Sequence, residues 1–102
     1  MKSKIWSREV SIKQIQEWSN DTMVDHLDIK IENIGDDFLQ ASMPVDHRTV
    51  QPQRRLHGGA SCALAETVGS IAANMCLNMQ THVAFGMNIN ASHLRAATTA
   101  RV

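Results

Sequence analysis

The sequence predicts a single α+β domain over residues 1–102, and three observations lead to that fold class. Two alternating segments within residues 27–46 predict an antiparallel β-hairpin, an apolar segment from about Gly59 to Met79 predicts a long helix, and a third alternating segment follows the helix. Strands of this kind can form a sheet that buries its apolar face against the helix. A chain of 102 residues has room for one domain and not for two.

The balance of charges excludes one large class of function. Ten Lys and Arg residues stand against ten Asp and Glu residues, so the formal net charge is zero. Because nucleic-acid binding proteins need a surplus of positive charge to neutralise phosphates, we expect no nucleic-acid partner. The sequence also has no run of about 18 apolar residues, so we expect no segment that spans a membrane.

The cysteines and the N-terminus indicate a cytoplasmic protein. Cys62 and Cys76 fall on one predicted helix, about 21 Å apart at its usual rise, whereas a disulfide needs Cα atoms within about 7 Å. We therefore expect reduced thiols in the core. The charged N-terminal residues precede no apolar stretch, so no secretory leader is expected. The five histidines lack metal-site spacing, and no metal is predicted.

The first predicted element is a short amphipathic helix that opens with a capping pattern. Ser11 is followed three residues later by Gln14, an arrangement in which each side chain satisfies a backbone N–H at the helix start. An Asn-Asp-Thr sequence at residues 20–22 ends the helix. Its apolar positions fall on one face: Ile12, Ile15 and Trp18.

The predicted β-hairpin follows. Gly35 begins a Gly-Asp-Asp turn between the strands, and Pro44 places the end of the second strand at a sheet edge. A polar, basic loop over residues 47–56 then leads to the long helix. Apolar residues alternate with polar ones at Leu27, Ile29 and Ile31 in the first strand, and at Leu39, Ala41, Met43 and Val45 in the second.

The long helix has two different stripes. One stripe consists of bulky apolar residues: Leu64, Val68, Ile71 and Met75. The opposite stripe consists of small residues around one acid: Gly59, Cys62, Ala63, Glu66, Gly69, Ser70 and Ala73. This distribution predicts a helix that is packed on both sides, with Glu66 at least partly buried.

A buried carboxylate leaves two interpretations open, because its burial is costly without a partner. Glu66 is either a hydrogen-bonded structural group or a catalytic base or nucleophile. Ser70, one turn later, is either a small packing residue or a group that bonds Glu66 or a water molecule. The choice between these interpretations needs the surroundings of both side chains.

The start of the helix offers a second chemical feature. Gly58 and Gly59, after His57, either make a tight turn or leave backbone N–H groups free to hold an oxyanion. Glu66 lies eight residues beyond Gly58, about 12 Å along a helix axis, and side-chain tilt covers less than half of that. One carbonyl group therefore cannot easily contact both groups of one chain. This spacing predicts a symmetric homodimer with two composite sites.

The last segment is predicted to form a long strand over residues 83–95, because apolar and polar residues alternate there. Residues 98–102 are predicted to form a turn and the first residues of another strand.

Two motifs resemble a known family. The first runs from Asp46-x-Arg48-x-x-Gln51-Pro52 through Leu56-His57-Gly58-Gly59-Ala60 and Leu64-Ala65-Glu66 to Gly69-Ser70. The second is Asn88-Ile89-Asn90-Ala91-x-His93-x-Arg95. Both resemble the hotdog-fold acyl-CoA thioesterases, in the bacterial branch that includes enzymes of menaquinone and enterobactin synthesis. The resemblance implies an antiparallel sheet wrapped around a long central helix, in dimers that pair into tetramers.

The resemblance implies the catalytic roles of five residues in the hydrolysis of an acyl-CoA thioester. Glu66 would attack the thioester or activate water, and Gly58 would donate its N–H to the thioester oxygen. His57 and Gln51 would position the thioester or the water from the subunit opposite to Glu66. Ser70 would assist near Glu66.

The resemblance also implies a groove for the substrate's CoA part, lined by Gly86, His93 and Arg95. The acyl part of the substrate is expected to be aromatic. No metal or cofactor is expected, because a thiolate is a good leaving group.

The sequence departs from the family pattern in two ways. Arg54 stands where relatives often have Gly, and together with Arg55 it would either contact CoA phosphates or simply be solvated. Relatives also continue beyond the last residue of this sequence with further strands. In the hotdog sheet those strands lie between the hairpin and the 83–95 strand, so we expect a hotdog domain whose C-terminal strands are missing from this chain. Two alternatives follow: a non-catalytic acyl-CoA or small-ligand binding protein, and an inactive truncated hotdog protein.

Overall fold

The computed structural model describes residues 3–102; Met1 and Lys2, which begin the charged N-terminal stretch, lie outside the described residues. An antiparallel two-stranded sheet packs between a short helix and a long one. In chain order the elements are α1 (Ile12–Ser19), α2 (Met23–His26), β1 (Lys30–Ile34), β2 (Leu39–Ser42) and α3 (Gly58–Met75). No helix within residues 3–102 combines the length and the apolar character needed to cross a membrane.

Helix α1 begins with the predicted capping box. The Ser11 hydroxyl accepts a hydrogen bond from the Gln14 N–H (3.1 Å), and the Gln14 side chain accepts one from the Ser11 N–H (2.9 Å). Ile15 is buried against β1 with Ile12 beside it, as predicted. Trp18, on the same predicted face, is 47 % exposed, because it lies in the last turn of the helix, outside this core cluster.

The hairpin is confirmed, and a short helix that the sequence analysis did not predict precedes it. The side chains of Leu27, Ile29 and Ile31 are all buried, yet only the last of them belongs to β1. The Thr22 hydroxyl caps the Val24 N–H and starts α2, which ends at His26. Residues 27 and 28 form the turn that ends α2, so β1 begins three residues later than the alternation predicted.

Pro44 has a paired backbone neighbour on one side only, among residues 3–102. Met43 exchanges backbone hydrogen bonds with Val102 (2.8 and 2.9 Å), and the Val45 N–H donates to the Ala100 carbonyl (2.8 Å). Residues 100–102 therefore begin a further strand, as predicted, beside the end of the hairpin. Pro44 fits there because its nitrogen, which has no hydrogen, alternates to the side away from that neighbour.

Helix α3 ends at Met75 and not near Met79. The Ser7 N–H donates to the Met75 carbonyl (2.9 Å) and the Ser7 hydroxyl donates to the same oxygen (3.0 Å). This contact caps the helix, and turns follow it. Cys76, at the helix cap, is exposed, so the expectation of a core thiol is wrong for it; Cys62 is half-buried.

The predicted strand over residues 83–95 is absent. The segment is extended but belongs to no sheet, and Val83, Phe85 and Met87 are 63 %, 81 % and 98 % exposed. A strand needs a hydrogen-bonded neighbour, and the part of the chain that the structure describes supplies none here. The side-chain alternation that predicted the strand is real, but residues 3–102 form no strand that pairs with it.

The loop before α3 contains a strained residue at the position where the family pattern has Gly. Arg54 has φ = 63°, in the left-handed region, and both Arg54 and Arg55 are exposed. A residue with a Cβ loses about 1–2 kcal/mol in that region, whereas glycine adopts it freely.

We expect Arg54→Gly to raise the free energy of unfolding by about 0.5–1 kcal/mol, since relief of the strain exceeds the added freedom of the unfolded chain. Urea unfolding measures it. Arg55→Gly is the matched control, because Arg55 is not among the positive-φ residues and its replacement should destabilise the fold. Equal effects of the two substitutions would contradict the assignment of strain to Arg54.

Candidate active site

Glu66 is half-buried on α3, as predicted, and lies between two cavities. The first, of about 230 Å³, is lined by Glu66, Ser70, Gly86 and Asn88 among others. The second, of about 320 Å³, is mainly apolar. Besides Glu66 itself, the second cavity is lined by residues that include Met23, Val24, Leu27, Ile29 and Cys62.

The two cavities correct the prediction that α3 is packed on both sides. Its small stripe faces open space in this chain. Apart from the backbone of α3 itself, no atom of residues 3–102 lies within 4 Å of a Cβ added to Gly69. On the other side, Leu64 and Val68 of the bulky stripe line a groove of about 860 Å³. Helix α3 is therefore only partly covered, and its small stripe provides the space for a site.

Gly86 lies directly against Glu66. A Cβ added to Gly86 would overlap the Oε1 atom of Glu66 and would lie 2.8 Å from the carboxyl carbon. The resemblance had assigned Gly86 to the CoA groove, whereas the structure makes its backbone a wall of the Glu66 cavity. A side chain at this position would force the Glu66 carboxyl group to move aside.

Ser70 lines the same cavity as Glu66, one helical turn further on. Its backbone carbonyl accepts a hydrogen bond from the Asn74 side chain (2.8 Å). If Ser70 were only a small packing residue, its side chain would lie in a packed interface. The position on a cavity wall instead leaves Ser70 available to a molecule in the cavity.

The N-terminus of α3 carries a second group of site residues. The His57 Nδ1 atom accepts a hydrogen bond from the Gly59 N–H (2.8 Å), so in the neutral ring the proton lies on Nε2. Among residues 3–102, no group accepts a hydrogen bond from the Gly58 N–H. This N–H is therefore an available donor at the positive end of the helix dipole.

His93 lies beside Gly58. A Cβ added to Gly58 would be 2.8 Å from the His93 Nε2 atom. His93 and Arg95 are both exposed and line the groove of about 860 Å³ between β2 and α3. The structure thus separates the eight predicted residues into a group around Glu66 and a group around the helix start.

Gln51 lies in the loop before α3 and bonds within that loop. Its side-chain oxygen accepts from the Gln53 N–H, and its backbone N–H donates to the Arg55 carbonyl (2.8 Å). Gln51 and His57 are not among the residues that line the two cavities beside Glu66. Within one chain these two residues are not brought to Glu66; the resemblance implies that they act from the opposite subunit.

An ion pair and a buried hydroxyl hold this loop. Arg48 bonds Asp46 through its guanidinium (2.6 Å) and its backbone N–H (2.9 Å), and these bonds lower the pKa of Asp46 to about 2. The buried Thr49 hydroxyl donates to the Pro44 carbonyl (2.7 Å). The Thr49 carbonyl accepts from the His57 N–H (2.8 Å), which fixes the start of α3.

Sequence reasoning missed one residue of the site. The Asn74 side chain bonds both the N–H and the carbonyl of Ala84, two residues before Gly86. Its spacing was the available signal, because Glu66, Ser70 and Asn74 follow one another at intervals of four along one helix face.

Comparison with known proteins agrees with this architecture. The family model of the Thioesterase superfamily matches residues 54–102. Over 98 residues the chain is 47 % identical to 1,4-dihydroxy-2-naphthoyl-CoA hydrolase of Escherichia coli K12 and 42 % identical to a putative esterase of Haemophilus influenzae. These alignments cover 96 % of the chain and 71 % and 70 % of the two relatives, so the chain spans about 70 % of their length.

Solved structures agree as well. A mutant thioesterase from Pseudomonas aeruginosa superposes with a TM-score of 0.94 at 38 % identity, over 96 % of this chain and 70 % of that protein. A thioesterase from Haemophilus influenzae superposes with a TM-score of 0.91 at 41 % identity, over 95 % and 67 %. The chain therefore belongs to the thioesterase superfamily, a family of hydrolases, and has its hotdog fold.

Proposed function

We propose that this protein hydrolyses an acyl-CoA thioester to a free acid and CoA. The observation that carries the proposal is the half-buried Glu66 carboxylate between two cavities, together with an available N–H at the start of the same helix. The name of the Escherichia coli relative supports a CoA thioester of an aromatic acid as the substrate, and a role in menaquinone synthesis. The apolar cavity beside Glu66 suits the acyl group.

The proposed reaction begins at Glu66. The carboxylate either removes a proton from water, whose oxygen attacks the thioester carbon, or attacks that carbon itself to give an anhydride that water opens. Negative charge develops on the thioester oxygen and is stabilised by the Gly58 N–H. The carbon–sulfur bond breaks as the free acid or the anhydride forms, and CoA leaves as a thiolate that takes up a proton.

The site is completed by a second copy of the chain. Gly58 and Glu66 are the first and ninth residues of one unbroken helix, about 12 Å apart along its axis, so Gly58, His57 and Gln51 act from the partner subunit. The exposed side chains of Val83, Phe85 and Met87 support an interface between copies. Dimers of this kind would pair into tetramers, as the resemblance implies.

The remaining groups have supporting roles in the proposal. Ser70 holds a water molecule or the thioester in the Glu66 cavity. His93 and Arg95, on the exposed groove beside the helix start, contact the pantetheine and nucleotide parts of CoA. The Gly86 backbone closes the cavity around the thioester end of the pantetheine.

A thiol-release assay tests this function. We expect release of CoA from benzoyl-CoA, with slower release from a short aliphatic acyl-CoA. If the protein instead binds acyl-CoA in an equilibrium titration and releases no thiol, it is a binding protein and not an enzyme. Absence of both binding and release would favour an inactive hotdog protein.

A further inference from the structure

Ala84 is attached to helix α3 by the side chain of Asn74. The Ala84 N–H donates to the Asn74 Oδ1 atom (2.8 Å), and the Asn74 Nδ2 atom donates to the Ala84 carbonyl (3.1 Å). The second Nδ2 hydrogen bonds the Ser70 carbonyl (2.8 Å). Both donors and the oxygen of the carboxamide are therefore engaged, and the side chain is held in one orientation.

This pair of bonds takes the place of a neighbouring strand. In an antiparallel sheet, a hydrogen-bonded residue exchanges both its N–H and its carbonyl with the residue opposite. The Asn74 carboxamide makes the same exchange with Ala84. Along residues 83–96, within the described chain, Ala84 is the one residue whose backbone groups have hydrogen-bond partners.

The attachment fixes the position of Gly86. An extended chain advances about 3.3 Å per residue, so Gly86 is about 7 Å from the attached residue and has little freedom to move away from it. At that distance its backbone lies against the Glu66 carboxyl group. Movement of the segment by even a small amount would open the wall of the Glu66 cavity.

We propose that Asn74 is a positioning residue for the thioester site: its carboxamide holds Ala84, and thereby places the Gly86 backbone against Glu66. This inference rests on the proposed function of Glu66. Asn74 itself contacts no reacting atom and acts through the segment that it holds.

The test compares Asn74→Leu and Asn74→Asp with the parent chain. Leucine has a similar shape and makes no hydrogen bond, so we expect the Ala84 amide to lose at least about tenfold of its protection from hydrogen exchange. In the same variant we expect kcat for benzoyl-CoA to fall about tenfold while KM changes less than about threefold. Asn78→Ala is the control, because within residues 3–102 the Asn78 side chain bonds the nearby Gln80 N–H and no other group.

Asn74→Asp supplies a pH-dependent measurement, and its result would not change with pH if Asn74 had only a structural role. A protonated carboxyl group has one donor and one acceptor, as the carboxamide does toward Ala84. The ionised group has no donor for the Ala84 carbonyl, and its charge repels that oxygen and the Ser70 carbonyl oxygen, so it cannot hold Ala84 in place. We therefore expect Ala84 protection, measured relative to Val83 and Phe85, to return in Asn74→Asp at acid pH. Asn74→Leu should show no such return at any pH.

A third measurement, the Gly86 amide resonance, tests the link between Asn74 and Glu66 and needs no enzymatic turnover. Glu66→Gln should shift the Gly86 amide resonance in the parent chain and should shift it much less in the Asn74→Leu background. An Ala84 amide that exchanges as fast as its neighbours, or equal Gly86 shifts in both backgrounds, would overturn the proposal. A parent chain that releases no thiol contradicts the proposed function alone, because the exchange and resonance measurements still decide whether Asn74 places Gly86.

Discussion

Glu66→Gln is expected to lower the rate of thioester hydrolysis by about 10²–10⁴-fold, because the amide can neither accept a proton from water nor attack the thioester carbon. Glutamine has the shape of glutamate, so it keeps the close approach of the Gly86 backbone. We therefore expect the fold and the assembly to survive the substitution. Thiol release under saturating substrate, with circular dichroism and size-exclusion chromatography, measures both effects.

Glu17→Gln is the control for this substitution. Glu17 is exposed on α1, so the loss of its charge should leave turnover unchanged. Unchanged turnover in the Glu66 variant would show that this carboxylate is a structural group, and the proposed mechanism would then fail. Loss of turnover together with loss of assembly would indicate a folding defect and not a chemical one.

Gly58→Pro is expected to lower kcat by about 10²–10³-fold relative to Gly58→Ala, because it deletes the N–H proposed to bind the thioester oxygen. Proline is well tolerated at the first position of a helix, which is the position of Gly58. His57 has φ = −65° and ψ = 131°, a conformation that a residue before proline readily adopts. The substitution therefore removes a donor without breaking the helix.

Gly58→Ala is the matched control because it adds the same Cβ and keeps the N–H. That Cβ meets the His93 ring in both variants, and the ring is the far end of a side chain that can move aside. The ratio of the two kcat values therefore reports the replacement of the N–H by the proline ring. Equal kcat values for the two variants would contradict the oxyanion role of Gly58.

Local signals predicted the parts of the fold that depend on neighbouring residues in the sequence. The Ser11 and Gln14 capping box is complete within four residues, and the structure contains both of its hydrogen bonds. The hairpin turn at Gly35 is equally local, since the Gly35 N–H bonds the Phe38 carbonyl (2.9 Å). Such elements need no distant partner, so their pattern was sufficient.

Elements that depend on distant partners were predicted less well. The 83–95 segment has the alternation of a strand and has no strand to pair with among residues 3–102. Helix α3 stops at Met75, which Ser7 caps from far away in the sequence. Pro44 has a neighbour at residues 100–102 that its own sequence context does not reveal. Periodicity describes which side chains can be buried and does not identify what covers them.

In the candidate site, too, local sequence signals predicted some features, and contacts between distant residues were missed. The setting of Glu66 among small residues predicted its partial burial, and the spacing from Gly58 predicted that the two groups are separate in one chain. The contact of Gly86 with Glu66 and the attachment of Ala84 to Asn74 join residues across a turn, so no local pattern contained them. The positive φ of Arg54 was visible only as a departure from the family pattern.

Mixing two inactive variants tests the composite site most directly. Chains with Glu66→Gln and chains with Gly58→Pro are unfolded together and refolded in equal amounts, so that half of the dimers contain one chain of each kind. Each mixed dimer then has one site with both substitutions and one site with neither. We predict recovery of about a quarter of the parent activity from a symmetric dimer with shared sites, whereas no recovery would show that Glu66 and Gly58 act within one chain and would contradict the account.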